Sequence, residues 1–250
     1  MRRKQLGSGY YAACAGLRAQ TQALELIASN VANISTTGYR GQQPMFHSLL
    51  ASAGHQLSDP LNHAINDFGV LEGSRTDLST GNLERTGNSL DLAIEGKGFF
   101  AIQTRGGTLY TRNGNFQVSP NGQLTTAAGD LVLGEDGKPI TLPSGEISIS
   151  PDGTISSSGA VAGKIKIAEF APGTVPVAAG TSYYSVPAAA VRSATDSNIR
   201  QNMLESSNVN SVKAVVDMIA VQRHAEMLER AMTVFESNLD RIAANDLPKL

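Results

Sequence analysis

The sequence predicts an α+β molecule in which an antiparallel β domain is inserted between N- and C-terminal coiled-coil-forming helices. Three observations predict it. Both ends of the 250-residue chain carry apolar residues in a heptad. The middle is broken into short apolar runs separated by Asn-Gly and Asp-Gly pairs. Polar stretches rich in Gly, Ser, Asp and Asn lie between the middle and the ends. The expected division is therefore residues 1–38 and 208–250 as one discontinuous helical domain, 39–85 and 191–207 as extended connectors, and 86–190 as the β-rich domain.

The first helix is marked by Tyr10, Ala13, Leu17, Gln20, Leu24, Ile27, Val31 and Ile34, spaced alternately by three and four. Gln20 is the one polar member. Ser8 is positioned to cap its start, and Gly38 to end it through a left-handed turn. A helix of ~28 residues is ~42 Å long. The β region begins with the alternation Leu90-Asp-Leu-Ala-Ile94 and the run Phe99-Phe-Ala-Ile102. Leu109–Thr111, Asn115–Val118, Gly145–Ser150 and Lys164–Ala168 follow. Asn121-Gly122, Asp136-Gly137 and Asp152-Gly153 read as two-residue hairpin turns, which demand positive φ. The last helix repeats the heptad at Ala214, Met218, Val221, Ala225, Leu228, Met232, Phe235, Leu239 and Ile242. Asn210 or Ser211 caps it and Pro248 lies beyond its end. Val212, Val216 and Ile219 widen its apolar stripe, so it is expected to touch more than one neighbour.

Leu17, Leu24, Ile27 and Val31 on the first helix, with Val221, Leu228, Met232, Phe235 and Leu239 on the last, are the expected assembly interface. Val212, Val216 and Ile219 extend it. The seam side chains are few and mostly small or medium. Ordering so long a helix costs more than one partner helix returns. The terminal helices are therefore expected to settle only when several copies pack together.

Composition removes several function classes. Formal net charge is −2, which leaves no basic footprint for nucleic acid or an anionic membrane. There is no Trp and aromatics total 5%, so a site built on ring stacking has little to use. The single Cys14 excludes an internal disulfide framework or thiolate cluster. No apolar run reaches the ~18 residues of a membrane span. Met1-Arg-Arg-Lys4 is basic, but an amphipathic pattern follows it, so no cleaved signal is expected.

Motifs with possible chemistry read better as structure. Gly96-Lys-Gly98-Phe-Phe-Ala101 fits G-x-G-x-x-A, yet a strand follows where a pyrophosphate site needs a helix N-terminus. His47, His55 and His63 are evenly spaced, but the stretch holds Gly54 and Pro60 and few carboxylates. Asp130, Glu135 and Asp136 fit no calcium loop and read as turn acids. Cys14 reads as a small buried side chain, and His224 as a solvated or interface one. No nucleophile elbow or paired glycosidase acids can be assembled. The expectation is a protein that is no enzyme and needs no cofactor, metal or small-molecule substrate. A cell-wall hydrolase and a β binding module on a helical stalk are the competing readings.

The segment Ser29-Asn-Val-Ala-Asn33-Ile-Ser-Thr-Thr37-Gly38-Tyr39-Arg40 ends an apolar seam in polar residues that local helix termination does not explain. It resembles the N-terminal signature of the bacterial flagellar rod and hook axial proteins. Asn88–Phe100, with Tyr110-Thr-Arg-Asn-Gly-Asn-Phe116 and Asn121-Gly-Gln-Leu124, is similar to that family's central β region. Ser207-Asn-Val-Asn-Ser-Val212, Met218-Ile219 and Gln222-Arg223 are similar to its C-terminal helix motif. Length and a modest first connector point to FlgF-type proximal rod members rather than FlgG-type distal ones. The resemblance implies a structural subunit that polymerises helically, with the helices as inner tube and the β domain outside. Asn33, Thr37 and Gly38 then belong to the assembly interface. It further implies export through the flagellar type III apparatus without a cleaved signal and a basal-body location spanning the periplasm. The implied partners are further copies and other rod subunits, proximal and distal. The implied work is torque transmission and enclosure of the export channel.

Overall fold

A computed structural model places residues 2–47, 70–143, 145–194 and 196–246, with side chains for 13–45 and 73–237 except 144, 195 and 235. The chain forms two compact units. One takes residues 1–31, 42–75 and 211–250; the other takes 32–41 and 76–210.

In the first unit, α1 runs Arg2–Ala32 and α2 runs Ser211–Asp246. Strands Gln42–His47 and Val70–Thr76 pair as a two-stranded sheet. Helix α1 starts earlier than expected, so Ser8 lies inside it rather than at its start. It also stops earlier. Residues beyond Ala32 form successive turns, with the Thr36 N–H donating to the Asn33 carbonyl and the Tyr39 N–H to the Thr36 carbonyl. Ile34 is therefore not helical. The buried residues Ala13, Gly16, Gln20, Ala23 and Ile27 keep the heptad spacing. Leu17 and Leu24 are only half-buried beside that line. The Asn30 side chain continues the helix end into the first strand: its Nδ2 donates to the Gln42 carbonyl at 2.7 Å and its Oδ1 accepts the Gln42 N–H at 2.8 Å.

The second unit is the β region, and the strand pairings described for it are antiparallel. Its centre is the strand Phe99–Thr104, which pairs with Gly107–Thr111, Leu131–Val132 and Ile167–Phe170. Successive side chains on a strand face opposite ways. Phe100 and Ile102 accordingly join one core, with Leu92, Ile94, Phe116, Leu124, Val132 and Ile155. Phe99 and Ala101 join another, with Tyr110, Leu133, Ala168 and Tyr184. Burial on both faces explains why this stretch is apolar without alternation. The same holds for Leu92–Glu95, where Leu92, Ala93 and Ile94 are all buried. The alternation read at Leu90–Ile94 is thus replaced by a strand sunk on both sides, and Asp91 precedes it in an amide cradle from Asn88 and Asn115.

The three expected hairpin turns are turns of a different kind. In each, only the glycine has positive φ: +76° at Gly122, +74° at Gly137 and +88° at Gly153. The glycine N–H donates back three residues, to Ser119, Gly134 and Ser150. Pro120 and Pro151 occupy the second position of two of these turns, where a fixed φ near −65° favours a three-residue loop ending in the left-handed glycine over a two-residue one. The two-residue turn with both residues at positive φ occurs instead at Ser158-Gly159, +50° and +84°, between paired Ser157 and Ala160.

The stretches 76–85 and 191–207 also carry strands. Leu83–Arg85 pairs with Met203–Glu205, and Leu92–Glu95 with Asn198–Gln201. These two pairings bring residues before and after the central β region together at one place.

Candidate assembly site and its buried charge knot

The signature segment 29–40 is divided: residues 29–31 belong to the helical unit and 32–40 to the β unit. Gly38 has φ +67°, and its N–H donates to the Glu205 carbonyl at 2.7 Å. A Cβ there would fall 2.3 Å from the Asn113 nitrogen and 2.4 Å from the Arg112 carbonyl carbon. Glycine is required twice over, by conformation and by closeness. Tyr39 and Arg40 are buried next to it, at 3% and 1% exposure.

Arg40 enters a knot of three charged side chains. Its Nη2 donates to Glu205 Oε1 at 2.6 Å, and Arg112 Nη1 donates to Glu205 Oε2 at 3.1 Å. Both ion pairs are shielded from solvent. Glu205 Oε1 also accepts the Gly81 N–H at 2.8 Å. Arg112 donates further to the carbonyls of Ile94 and Gly96, and its guanidinium sits 5.1 Å from the Phe99 ring centre. Burial pushes Arg112 down to about 10, although Glu205 pulls the other way. Tyr184 closes the knot: its hydroxyl oxygen accepts the Arg40 N–H at 3.2 Å, and burial lifts its pKa to about 12.

A second clasp lies beside it. Asn208 Oδ1 accepts the Gly41 N–H at 2.7 Å, while its Nδ2 donates to the carbonyls of Asp77 and Ser79. One amide thus ties together three segments of the β unit at residues 41, 77 and 208. Each continues within a few residues into the helical unit, at 42, 75 and 211.

The expected interface residues separate into groups. Ile27 and Leu228 are buried, at 6% and 2% exposure. Leu17, Leu24, Val31, Val221 and Met232 are half-buried. Val212, Val216 and Ile219 are open to solvent at 72%, 58% and 47%. Asn33 and Thr37 are half-buried at the junction. Phe235 and Leu239 lie outside the described side chains. Sequence reasoning missed Glu205, Arg112, Asn208 and Gly81. The Tyr110–Phe116 match did contain Arg112, but nothing local marks a charge whose partner is 93 positions away.

The other motifs take structural places. Gly96 and Gly98 form the turn between strands Leu92–Glu95 and Phe99–Thr104, both with positive φ. Asp130 accepts the Tyr183 hydroxyl, Asp136 the Lys138 N–H, and Glu135 pairs with exposed Lys164. Cys14 is half-buried on α1 and His224 exposed on α2. His55 and His63 lie outside the described residues, as does the side chain of His47. Among the described residues no group of three or more His, Cys, Asp or Glu could hold a metal. No described helix is long and apolar enough to cross a membrane.

Three family models match the chain in order. Residues 11–40 match the flagella basal body rod protein model, which ends on Arg40. Residues 93–157 match the flagellar hook protein FlgE/F/G D1 domain, and 200–245 the flagellar basal body rod FlgEFG protein C-terminal region. The flagellar basal-body rod protein FlgF of Caulobacter vibrioides is 33% identical over 91% of this chain and 92% of its own. The chain belongs to the flagellar basal-body rod and hook family. FlgF of Salmonella typhimurium is 36% identical, covering 88% of this chain and 90% of its own. FlgG of Agrobacterium fabrum is 34% identical, covering 93% and 97%. FlgF-type rod proteins are the best represented of these relatives, at 30–36% identity over about nine-tenths of the chain, so this member is a structural rod subunit of that type. Within the family frame, each of the three matched regions contributes to the knot: Arg40 from the first, Arg112 from the second and Glu205 from the third.

Proposed function

We propose that this FlgF-type subunit builds the proximal part of the rod by helical polymerisation through its two terminal helices. The carrying observation is on α2. Ala214 and Leu228 are buried, while Val212, Val216 and Ile219 stay exposed on the same helix. A helix with one covered and one uncovered aliphatic row has a second neighbour to find. Contacts that do not close on themselves generate an open helical polymer.

In this reading residues 1–38 and 208–250 pair as coiled coils and line an inner tube, with 86–190 as an outer layer on connectors 39–85 and 191–207. The heptads on both helices support pairing. Leu17, Leu24, Ile27 and Val31 with Val221, Leu228, Met232, Phe235 and Leu239 form the inner packing. Val212, Val216 and Ile219 meet the next subunit, and Asn33, Thr37 and Gly38 hold the junction. The assembled rod transmits torque across the periplasm and encloses the channel through which later subunits pass. The subunit reaches it through the flagellar type III apparatus without a cleaved signal. It works by mechanics alone, with no catalysis and no small-molecule substrate.

Val216→Asp with Ile219→Asp tests this. Each places a carboxylate on the exposed row without touching a buried residue. Cells carrying the double variant are expected to lack rods while the purified chain keeps its β-sheet circular dichroism. Normal basal bodies in those cells would contradict it. The FlgG-type distal reading retains support from the 34% identity to the Agrobacterium fabrum relative. Labelling this subunit in intact basal bodies separates the two, because a distal subunit would lie beyond the proximal segment.

A further inference from the structure

We propose that the buried knot of Arg40, Arg112 and Glu205 binds one small monovalent anion of the halide class. The charges do not balance without one. Two guanidiniums face one carboxylate, and the charged groups acting on Arg112 are Glu205 and Arg40. One positive charge is left over in a place where both ion pairs are shielded from solvent. Tyr184 does not offset it, because burial keeps its hydroxyl protonated. A buried charge without a counter-charge is strongly disfavoured.

The hydrogen bonds leave the same remainder. Glu205 already takes three donors: Oε1 accepts from Arg40 Nη2 and the Gly81 N–H, and Oε2 from Arg112 Nη1. Yet Nε and Nη1 of Arg40 and Nε of Arg112 are buried with no acceptor among the described residues. These are three charge-assisted donors, and such groups are rarely left bare. Water supplies acceptors but no charge. A carboxylate or phosphate also supplies charge, in a bulkier group. A spherical monovalent anion is the smallest species that supplies the missing charge while accepting from one edge of a guanidinium. It binds where Gly38, Gly81 and Met203–Glu205 are joined, so it is locked in when the β unit closes around residue 205.

Bromide is the probe. The full-length chain is refolded in sodium bromide, crystallised and measured at the bromine absorption edge. The expected result is an anomalous peak within hydrogen-bond reach of Arg40 Nε or Nη1, or of Arg112 Nε. Water-sized density without anomalous signal there overturns the proposal, as does bromide found only on the surface. In solution, thermal midpoints are measured at constant ionic strength while gluconate is replaced by bromide. A site that binds only the folded chain raises the midpoint with the logarithm of bromide concentration. Arg40→Met removes the surplus charge and two of the three bare donors, and it is expected to flatten that dependence. An unresponsive wild type, or an equal response in the variant, overturns the proposal. Should Arg40→Met not fold, the crystal and the wild-type series still decide it.

Discussion

Glu205 is the residue on which the junction turns. It joins Arg40, 165 positions away, to Arg112 and to the Gly81 backbone, with no exposure of its own side chain. Removing the charge strands two buried guanidiniums. Breaking a buried pair from one side costs about 3–5 kcal/mol. Glu205→Gln is therefore expected to lower unfolding stability by about that amount in urea titration, and a loss under 1 kcal/mol would contradict the knot. Tyr184 gives a pH test. Its folded pKa is about 12, against 10.0 ordinarily. Below pH 10 both states keep the proton and the contribution is fully present. Between the two values only the unfolded chain ionises, so stability falls as pH rises, by ~1.4 kcal/mol per unit. The stability difference between wild type and Tyr184→Phe is expected to shrink by roughly 2–3 kcal/mol from pH 9 to 12. At this scale the sequence yielded Gly38, because it stands in a compact run of unusual polarity. Arg40, Arg112 and Asn208 entered only inside longer matched stretches, and Glu205 not at all. A single acid or amide with a distant partner leaves no spacing to read.

Elements were read more completely than single residues, and their errors have physical causes. Both helices and the order of the β region follow from periodicity. The heptad of α1 was found, but its phase was set by the largest side chains. Ala13, Gln20 and Ile27 of that line are buried, but Gly16 and Ala23 take the places read for Leu17 and Leu24, which are half-buried beside them. Small residues let neighbouring backbone come close, which a hydrophobicity pattern does not weigh. Ala23 has 0% exposure. Ala23→Leu is therefore expected to cost about 1–3 kcal/mol by overpacking, whereas Leu24→Ala should cost less than that in the isolated chain. Equal effects in thermal unfolding would show that the large residues carry the seam after all. The turns were located correctly and typed wrongly; in two of the three, proline in second position decides the geometry before Asn-Gly or Asp-Gly can. Strand Asn198–Gln201 escaped notice because Asn, Arg and Gln dominate it, and Met203–Glu205 because it is only three residues long. Their partners Leu92–Glu95 and Leu83–Arg85, more than 100 positions earlier, set their place.

For the whole molecule, the contrast between the two units is the mechanical idea. The β unit has two apolar cores, a buried ion-pair knot and the Asn208 clasp, all formed by residues of that unit. The helical unit leaves Val212, Val215, Val216, Ile219, Met227 and Val234 uncovered along α2. The β unit is thus complete in its apolar packing, while α2 keeps uncovered aliphatic side chains that, in the proposed reading, assembly covers. Amide hydrogen exchange compares these parts directly, on dilute monomer and on assembled rods. Protection within Leu92–Ile102 is expected to be strong and equal in both. Protection across 211–234 is expected to be weak in the monomer and to rise by orders of magnitude in the rod. Strong protection of 211–234 in the monomer, unchanged by assembly, would contradict the account.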